Sequence, residues 1–350
     1  MPKQALAMIK KAEKYLKFAI EHRNSTRVTS TLKEVEPKLL IEPDQFDANP
    51  FLLNTPSFTY DLQYGLDGRQ EHKCIDYITM QTSVDPSDTG YEIWQNMLNL
   101  VFLNDKSVID FVQQVIGEAL IGVVKSERLI IAYGAGANGK SSFFNSIAYA
   151  LGTYSLNLSP KILTTNYRGN DKNDKAELRG KRLVIMAEMP GGAQLNTEQL
   201  KQLASTDMVT GEFKYKRQFS FRPTHSIIAF TNQMPSVQTI DNGLWRRLCI
   251  IPFNATIKPQ EDIKNYAEYL FKNAGGAILS WVIEGAQKAI QNNYKVSVPE
   301  FIKQANSAYR EDNDWLADFL NECCEIGNNY EEKSKDLYDV YRDYSKLILY

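Results

Sequence analysis

No apolar run in the chain approaches the roughly 18 residues that cross a bilayer. The opening segment "MPKQALAMIKKAEKYLKFAI" spreads its lysines throughout instead of setting them ahead of an apolar core, so neither a membrane anchor nor a secretory leader is expected. Cysteine is scarce. Cys74, Cys249, Cys323 and Cys324 form no CxxC pair, and His22, His72 and His225 lie far from them in sequence, which argues against a zinc site and a disulfide framework. The usage suits a reducing, cytosolic compartment. An excess of charge of one sign is missing too: 40 basic residues face 42 acidic ones, for a formal charge of -2. No global field attracts a polyanion, so any nucleic-acid contact must be a local patch. Internal repeats and low-complexity segments are also absent.

What remains is an ordinary globular composition, 43% hydrophobic and 23% charged over 350 residues, enough for about two domains of roughly 150 residues each. Leu6, Ile9, Ala12, Leu16, Ala19 and Ile20 recur at three- and four-residue steps, which predicts an amphipathic helix with a packing face. A second helix is expected in "VTSTLKEVEPKLL", broken at Pro37, followed by short strands and loops. Helical spacing returns in "GYEIWQNMLNLVF" and in "DKSVIDFVQQVIGEALIG", where Val108, Phe111, Val112, Val115, Ile116 and Ala119 share a face. Four short apolar runs then appear: "RLIIAY", "RLVIMAE", "HSIIAFTN" and "RRLCIIPF". Strands that are apolar throughout belong to a sheet covered on both faces, so an α/β core is expected from about residue 120 to about 255. Beyond it the spacing is again helical.

The first run leads into "GAGANGKS", Gly134 to Ser141, which satisfies G-x-x-x-x-G-K-[ST] between a strand and a helix. Backbone N–H groups of Gly134, Ala135, Gly136, Ala137, Asn138 and Gly139 would wrap phosphate oxygens, the glycines permitting close approach. Lys140 would reach the β and γ phosphates, Ser141 would offer its hydroxyl to Mg²⁺, and Ser142 is a spare hydroxyl beside it. The second run ends in Glu188, where a base that orients an attacking water or assists Mg²⁺ would sit. Asn232 ends the third, and a neutral amide there can hold a water beside a γ-phosphate without adding negative charge. Before the fourth stand Arg246 and Arg247, which cannot both face inward. An arginine reaching the γ-phosphate of a neighbouring subunit is worth about 10³ to 10⁵ in rate, and that role requires an oligomer.

Between the second and third runs, "TGEFKYKRQFSFRP" alternates Phe213, Tyr215, Phe219 and Phe221 with Lys214, Lys216 and Arg217. The pattern predicts a two-stranded hairpin with one aromatic and one basic face. Its Lys214, Lys216 and Arg217 would contact DNA phosphates if the tip projects into a channel; otherwise the hairpin is a solvated surface feature.

Taken in order, "GAGANGKSS", "ELRGKRLVIMAE", "EQLKQLASTD", "THSIIAFTNQMP" and "DNGLWRRLCIIPF" resemble the ATPase domain of superfamily-three helicases, within the phage and plasmid primase-helicase group that includes the poxvirus primase-helicase. "NPFLLNT", "DYITMQTSVDPSD" and "VIGEALIG" are similar to the region that precedes this ATPase. The resemblance implies an AAA+ P-loop NTPase core with a parallel sheet at 119–256. A helix-rich oligomerisation or collar region at 1–118 would precede it, and a helical region at 257–350, the start of a truncated winged helix, would follow. It implies Gly134, Gly139, Lys140 and Ser141 as Walker A and Glu188 as Walker B, with Ser141 and Glu188 at Mg²⁺. Asn232 takes the sensor position, and Arg247, with Arg246 as second choice, is the arginine finger. The implied cofactors are ATP and Mg²⁺. The implied partners are single-stranded and forked DNA, further copies of the chain in a hexamer, and a primase or polymerase, all in the cytosol of a host cell.

Two features depart from the group: the second Walker B acid is missing, and "TPSFTYDL" replaces a common Asn-Gly turn. Lys201 and Asp207 match family positions without an evident role. No carboxylate-and-histidine cluster or zinc motif for primer synthesis is present. The implied activity is ATP-driven DNA unwinding. The single acid keeps open a nucleotide-gated DNA-binding or assembly protein, and a P-loop small-molecule kinase is a further alternative that leaves Glu188, Asn232 and Arg247 unexplained.

Overall fold

The computed structural model describes residues 3–348 apart from 168, 170, 238–240 and 258–262. Two compact units divide between residues 48 and 49. In the first, α1 (Lys3–His22) and α2 (Ser25–Val35) follow the predicted periodicity. Asn24 caps α2, its Oδ1 accepting from the Thr26 N–H at 2.9 Å, and Pro37 falls in the short 3-10 turn Glu36–Lys38 after the helix, where its missing N–H costs little. Leu6, Ile9, Leu16 and Ile20 are exposed, so the face read as a packing face is not buried within this unit.

The second unit opens with the antiparallel strands β1 (Leu52–Asn54), β2 (Thr59–Asp61) and β3 (Arg69–Gln70), then α3 (Tyr91–Val101) and α4 (Lys106–Leu120). The α/β part runs β4 (Leu129–Tyr133), α5 (Lys140–Leu151), β5 (Ser155–Asn157), α6 (Asp171–Glu177), β6 (Leu183–Ala187) and α7 (Thr197–Leu203). It continues with the hairpin β7 (Val209–Gly211) and β8 (Phe219–Phe221), then β9 (Ser226–Thr231), α8 (Asn242–Trp245) and β10 (Leu248–Pro252). Helices α9 (Tyr266–Gln291), α10 (Glu300–Glu311), α11 (Trp315–Cys323) and α12 (Ser334–Ile348) follow. The described residues after β10 include no strand, so the wing expected of a winged helix is not among them.

A five-stranded sheet ordered β10-β4-β9-β6-β5, parallel throughout, forms the centre. The four apolar runs make its four adjacent long strands. The fifth, β5, carries no apolar run and buries none of its three residues fully, which is why its sequence gives no strand signal. Along the long strands alternate residues serve opposite faces: Ile130, Ala132, Ile185, Ile228 and Ile251 join one core, and Leu129, Ile131, Val184, Ile227 and Ile250 the other. Both faces are covered, which explains why the strands are apolar at every position.

The first core runs across the expected boundaries at 118 and 256, both of which fall inside the second unit. Trp94 of α3 stacks on Phe143 of α5 with centroids 5.4 Å apart and meets Trp281 of α9 edge-on at 5.5 Å. Helices α4 and α9 approach until a Cβ on Gly117 would lie 2.1 Å from the Ala286 nitrogen, and one on Gly285 2.2 Å from the Gln113 carbonyl oxygen. A methyl group at either site would cost about 1–3 kcal/mol in overpacking. The apolar faces of α3, α4 and α9 find their burial against α5 and against each other, so segments read as separate regions share one core. Arg182, buried just before β6, adds a polar tie: its guanidinium donates to the Leu120 and Leu52 carbonyls at 2.7 Å each.

Candidate nucleotide and nucleic-acid site

The C-terminal ends of β4, β9 and β6 meet along one edge of the sheet. Register pairs Tyr133 with Thr231, and Ala187 with Phe230, so Gly134, Asn232 and Glu188 leave neighbouring strands at that edge. Because β9 lies between the other two strands, the glycine loop and Glu188 are two strand spacings apart, about 10 Å. That span leaves room for a phosphoryl group and a water between loop and carboxylate.

The loop is held by its own side chains. Asn138 is buried and donates through Nδ2 to the Phe253 carbonyl at 3.2 Å, and the Ala137 carbonyl accepts from the Ile257 N–H at 2.7 Å. Gly134 is required by this closeness, since a Cβ there would stand 2.1 Å from Asn138 Nδ2 and 2.5 Å from the Phe253 oxygen. Gly139, at φ 78°, turns the chain into α5, whose first-turn N–H groups have no partner within the helix. Ser141 is exposed in that turn and Ser142 half-buried.

Lys140 is the best-organised cation of the site. Its buried ammonium donates to the Gly134 carbonyl at 2.7 Å, to Asn138 Oδ1 at 2.9 Å and to Asn232 Oδ1 at 3.2 Å. Three acceptors thus match its three donors. None of them is a carboxylate, and burial lowers its pKa to about 8. Three residues singled out in the sequence, Asn138, Lys140 and Asn232, are therefore in direct contact. Glu188 takes a left-handed backbone at φ 59°, and its N–H donates to the Phe230 carbonyl at 3.1 Å. Such a conformation costs a non-glycine residue about 1–3 kcal/mol. The Glu188 side chain is exposed, with no hydrogen bond or ion pair among the described residues.

Arg246 and Arg247 lie at the opposite edge, at the start of β10, where the Arg247 carbonyl accepts from the Leu129 N–H at 2.7 Å. Five residues of β10, about 16 Å of strand, separate them from the level of the glycine loop, a distance longer than an arginine side chain. The structure also distinguishes the two. Arg247 has a side chain only 12% exposed; it donates to Glu127 at 2.5 Å and to the Gly243 carbonyl at 2.8 Å. The Arg246 side chain is 69% exposed and only 3.7 Å from Glu127 at its nearest. Arg247, preferred from the family pattern, is thus committed within its own chain, whereas Arg246 is the more exposed of the two.

The hairpin is shorter than its alternation suggested, with three paired residues on each side. Phe213, Phe219 and Phe221 form a ladder with centroid spacings of 5.7 and 5.9 Å. The aromatic face ends there: Tyr215, at φ 65°, leaves the ladder and is 92% exposed at the tip. Lys214, Lys216 and Arg217 are exposed around it, so the basic residues cluster at the tip instead of along one face. The alternation assigns Tyr215 to the aromatic face; its place between two lysines is the available signal for the tip.

Comparison with known proteins supplies an independent line. Residues 132–247 match a family of unknown function, DUF5906, and residues 3–103 match the D5 N terminal like family. A protein of Acanthamoeba polyphaga mimivirus named as helicase L207/L206 is 27% identical over 214 residues, covering 59% of this chain and 22% of that protein. A protein of African swine fever virus named as primase C962R is 28% identical over 221 residues, covering 58% and 23%. One of invertebrate iridescent virus 3, named as helicase 121R, is 22% identical over 335 residues, covering 86% and 35%. The chain therefore spans between about a fifth and a third of the length of these curated relatives. Among solved structures, the apo A form of the NrS-1 C-terminal region shares the fold at a TM-score of 0.51 and 15% identity, covering 90% of this chain and 76% of that one.

Proposed function

We infer that this chain, which belongs to the phage and viral primase-helicase family, is an ATP-hydrolysing DNA helicase. It works as a homo-oligomeric ring, with six subunits the family's usual number, that moves along single-stranded DNA. One observation carries the reading: the phosphate-handling residues and the exposed arginine sit at opposite edges of one sheet. Among the described residues no arginine hydrogen-bonds to the glycine loop, Lys140, Glu188 or Asn232, and stacking copies head to tail would bring Arg246 of one copy to the loop of the next.

Bound ATP and Mg²⁺ would supply the phosphoryl group and a Lewis acid. Loop N–H groups and Lys140 would hold the phosphates, and Ser141 with Glu188 would hold the metal. Glu188 would also take the proton of the attacking water while Asn232 fixes that water's position. Arg246 of a neighbouring copy would neutralise charge on the equatorial oxygens. In this reading Lys140 exchanges neutral acceptors for phosphate, which favours its charged form.

The exchange has a pH signature. Below about pH 8 the lysine is protonated both with and without nucleotide, so affinity is flat. Above that value binding must take up a proton, and ATP affinity is expected to fall with rising pH, by at most about tenfold per unit. Titrations between pH 7 and 9.5 check this, with Lys140→Arg as the control that stays charged. A wild-type curve as flat as that of the control contradicts it.

The hairpin tip offers phosphate contacts that carry no base specificity. Replacing Lys214 and Lys216 by alanine is expected to weaken single-stranded DNA binding evenly across sequences. It should also flatten the slope of log affinity against log salt by about 1.4 per engaged hairpin, about 0.7 for each lost phosphate contact. Fluorescence anisotropy at several salt concentrations measures both effects. An unchanged slope would return the hairpin to the status of a solvated surface feature.

A further inference from the structure

Lys201 lies on α7, outside the nucleotide site and outside the hairpin, yet its ammonium is paired with the Asp241 carboxylate. Asp241 is also the N-cap of α8, its Oδ1 accepting from the Gly243 N–H at 2.6 Å. A four-residue helix has too few internal hydrogen bonds to fix its own direction, so its anchors decide where its side chains point. Leu244 is buried in the second core. Trp245 meets Tyr309 of α10 edge-on with centroids 5.7 Å apart. The Asn242 Oδ1 accepts from Arg310 of α10 at 2.7 Å. Arg247 is tied to Glu127. Among residues 241–247, Arg246 is the basic side chain that reaches outward, 69% exposed with one long contact of 3.7 Å to Glu127.

Five residues separate the end of α7, Leu203, from the start of the hairpin at Val209. The hairpin base is itself fixed, with Gly211 so close to α6 that a Cβ there would meet the Ala176 Cα at 2.6 Å. The Lys201–Asp241 pair thus joins the segment that carries the basic tip to the turn that carries Arg246.

We propose that Lys201 is a positioning residue for Arg246, acting through Asp241, and that the pair couples DNA at the hairpin to the arginine presented to the neighbouring subunit. The proposal rests on the reading of Arg246 as an arginine acting across the subunit interface. Both partners are partly exposed, so the pair adds little to overall stability. Its effect is on where α8 points.

The test uses the full chain with Lys201→Met, Asp241→Asn and the double variant. Asparagine is as good an N-cap as aspartate, so Asp241→Asn removes the ion pair and keeps the helix start. Each variant is expected to keep its ATP KM and single-stranded DNA affinity within about twofold and to lose about 10- to 100-fold in DNA-stimulated kcat, the scale of a misplacement of about 1 Å. The double variant should be no worse than either single one, and Lys201→Arg should recover most of the stimulation. Unchanged stimulation in both Lys201→Met and Asp241→Asn overturns the proposal, as do additive losses. Arg246→Ala measured alongside keeps the two levels apart. Full turnover in that variant sinks the reading of Arg246, whereas lost turnover there with normal Lys201→Met sinks only the coupling.

Discussion

Arg246→Ala is expected to lower ATP turnover by about 10³-fold or more and to leave nucleotide affinity within about twofold, because the arginine acts on charge that develops during transfer. Arg247→Ala should behave differently. Removing it leaves Glu127 without its close partner and Gly243 without a donor, at a cost of about 2 kcal/mol, less than a fully buried pair because Glu127 is part-exposed. Its signature is a lower melting temperature with turnover largely kept in the folded fraction. Mixed assemblies sharpen the contrast. Lys140→Ala subunits retain Arg246, and Arg246→Ala subunits retain the phosphate loop, so combining two inactive preparations should restore hydrolysis at the interfaces where each supplies what the other lacks. No recovery on mixing would mean that the arginine does not act between subunits.

Glu188→Gln is expected to bind ATP as the unaltered protein does and to hydrolyse it about 10²- to 10⁴-fold more slowly. The carboxylate is the one acid at the end of β6, the preceding residue being Ala187. Its left-handed backbone turns it off the line of the strand beside Phe230, and glutamine keeps size and polarity while removing the base. Binding is measured with a fluorescent nucleotide and turnover by phosphate release. Turnover within about tenfold of the unaltered protein would require a different base, since general-base catalysis is worth more than that. Lys140→Ala provides the complementary case, with affinity itself lost.

How legible these features were depends on how far apart the interacting residues stand in the chain. The glycine loop was legible because its pattern is local: glycine, lysine and serine at fixed spacing between a strand and a helix. Glu188 and Asn232 were legible as polar ends of apolar strands, and the sheet sets them beside the loop. The difference in exposure between Arg246 and Arg247 was not, because the closer partner of Arg247 is Glu127, 120 positions earlier. Lys201 attracted notice without a role for the same reason, its partner being 40 positions later. The shared core of α4, α5 and α9 was hidden because helical periodicity gives the direction of an apolar face but not the helix that covers it. At the hairpin, period two was carried too far into the turn, where Tyr215 departs at positive φ.

The most direct test of the account is the ATP hydrolysis rate with and without single-stranded DNA, with Lys140→Ala as the blank. The expected result is turnover that rises severalfold with DNA, falls back as salt rises, and vanishes in the variant. Hydrolysis that depends on Lys140 but is indifferent to DNA at any concentration would contradict the motor reading, leaving a nucleotide-gated assembly protein or a small-molecule kinase built on the same fold.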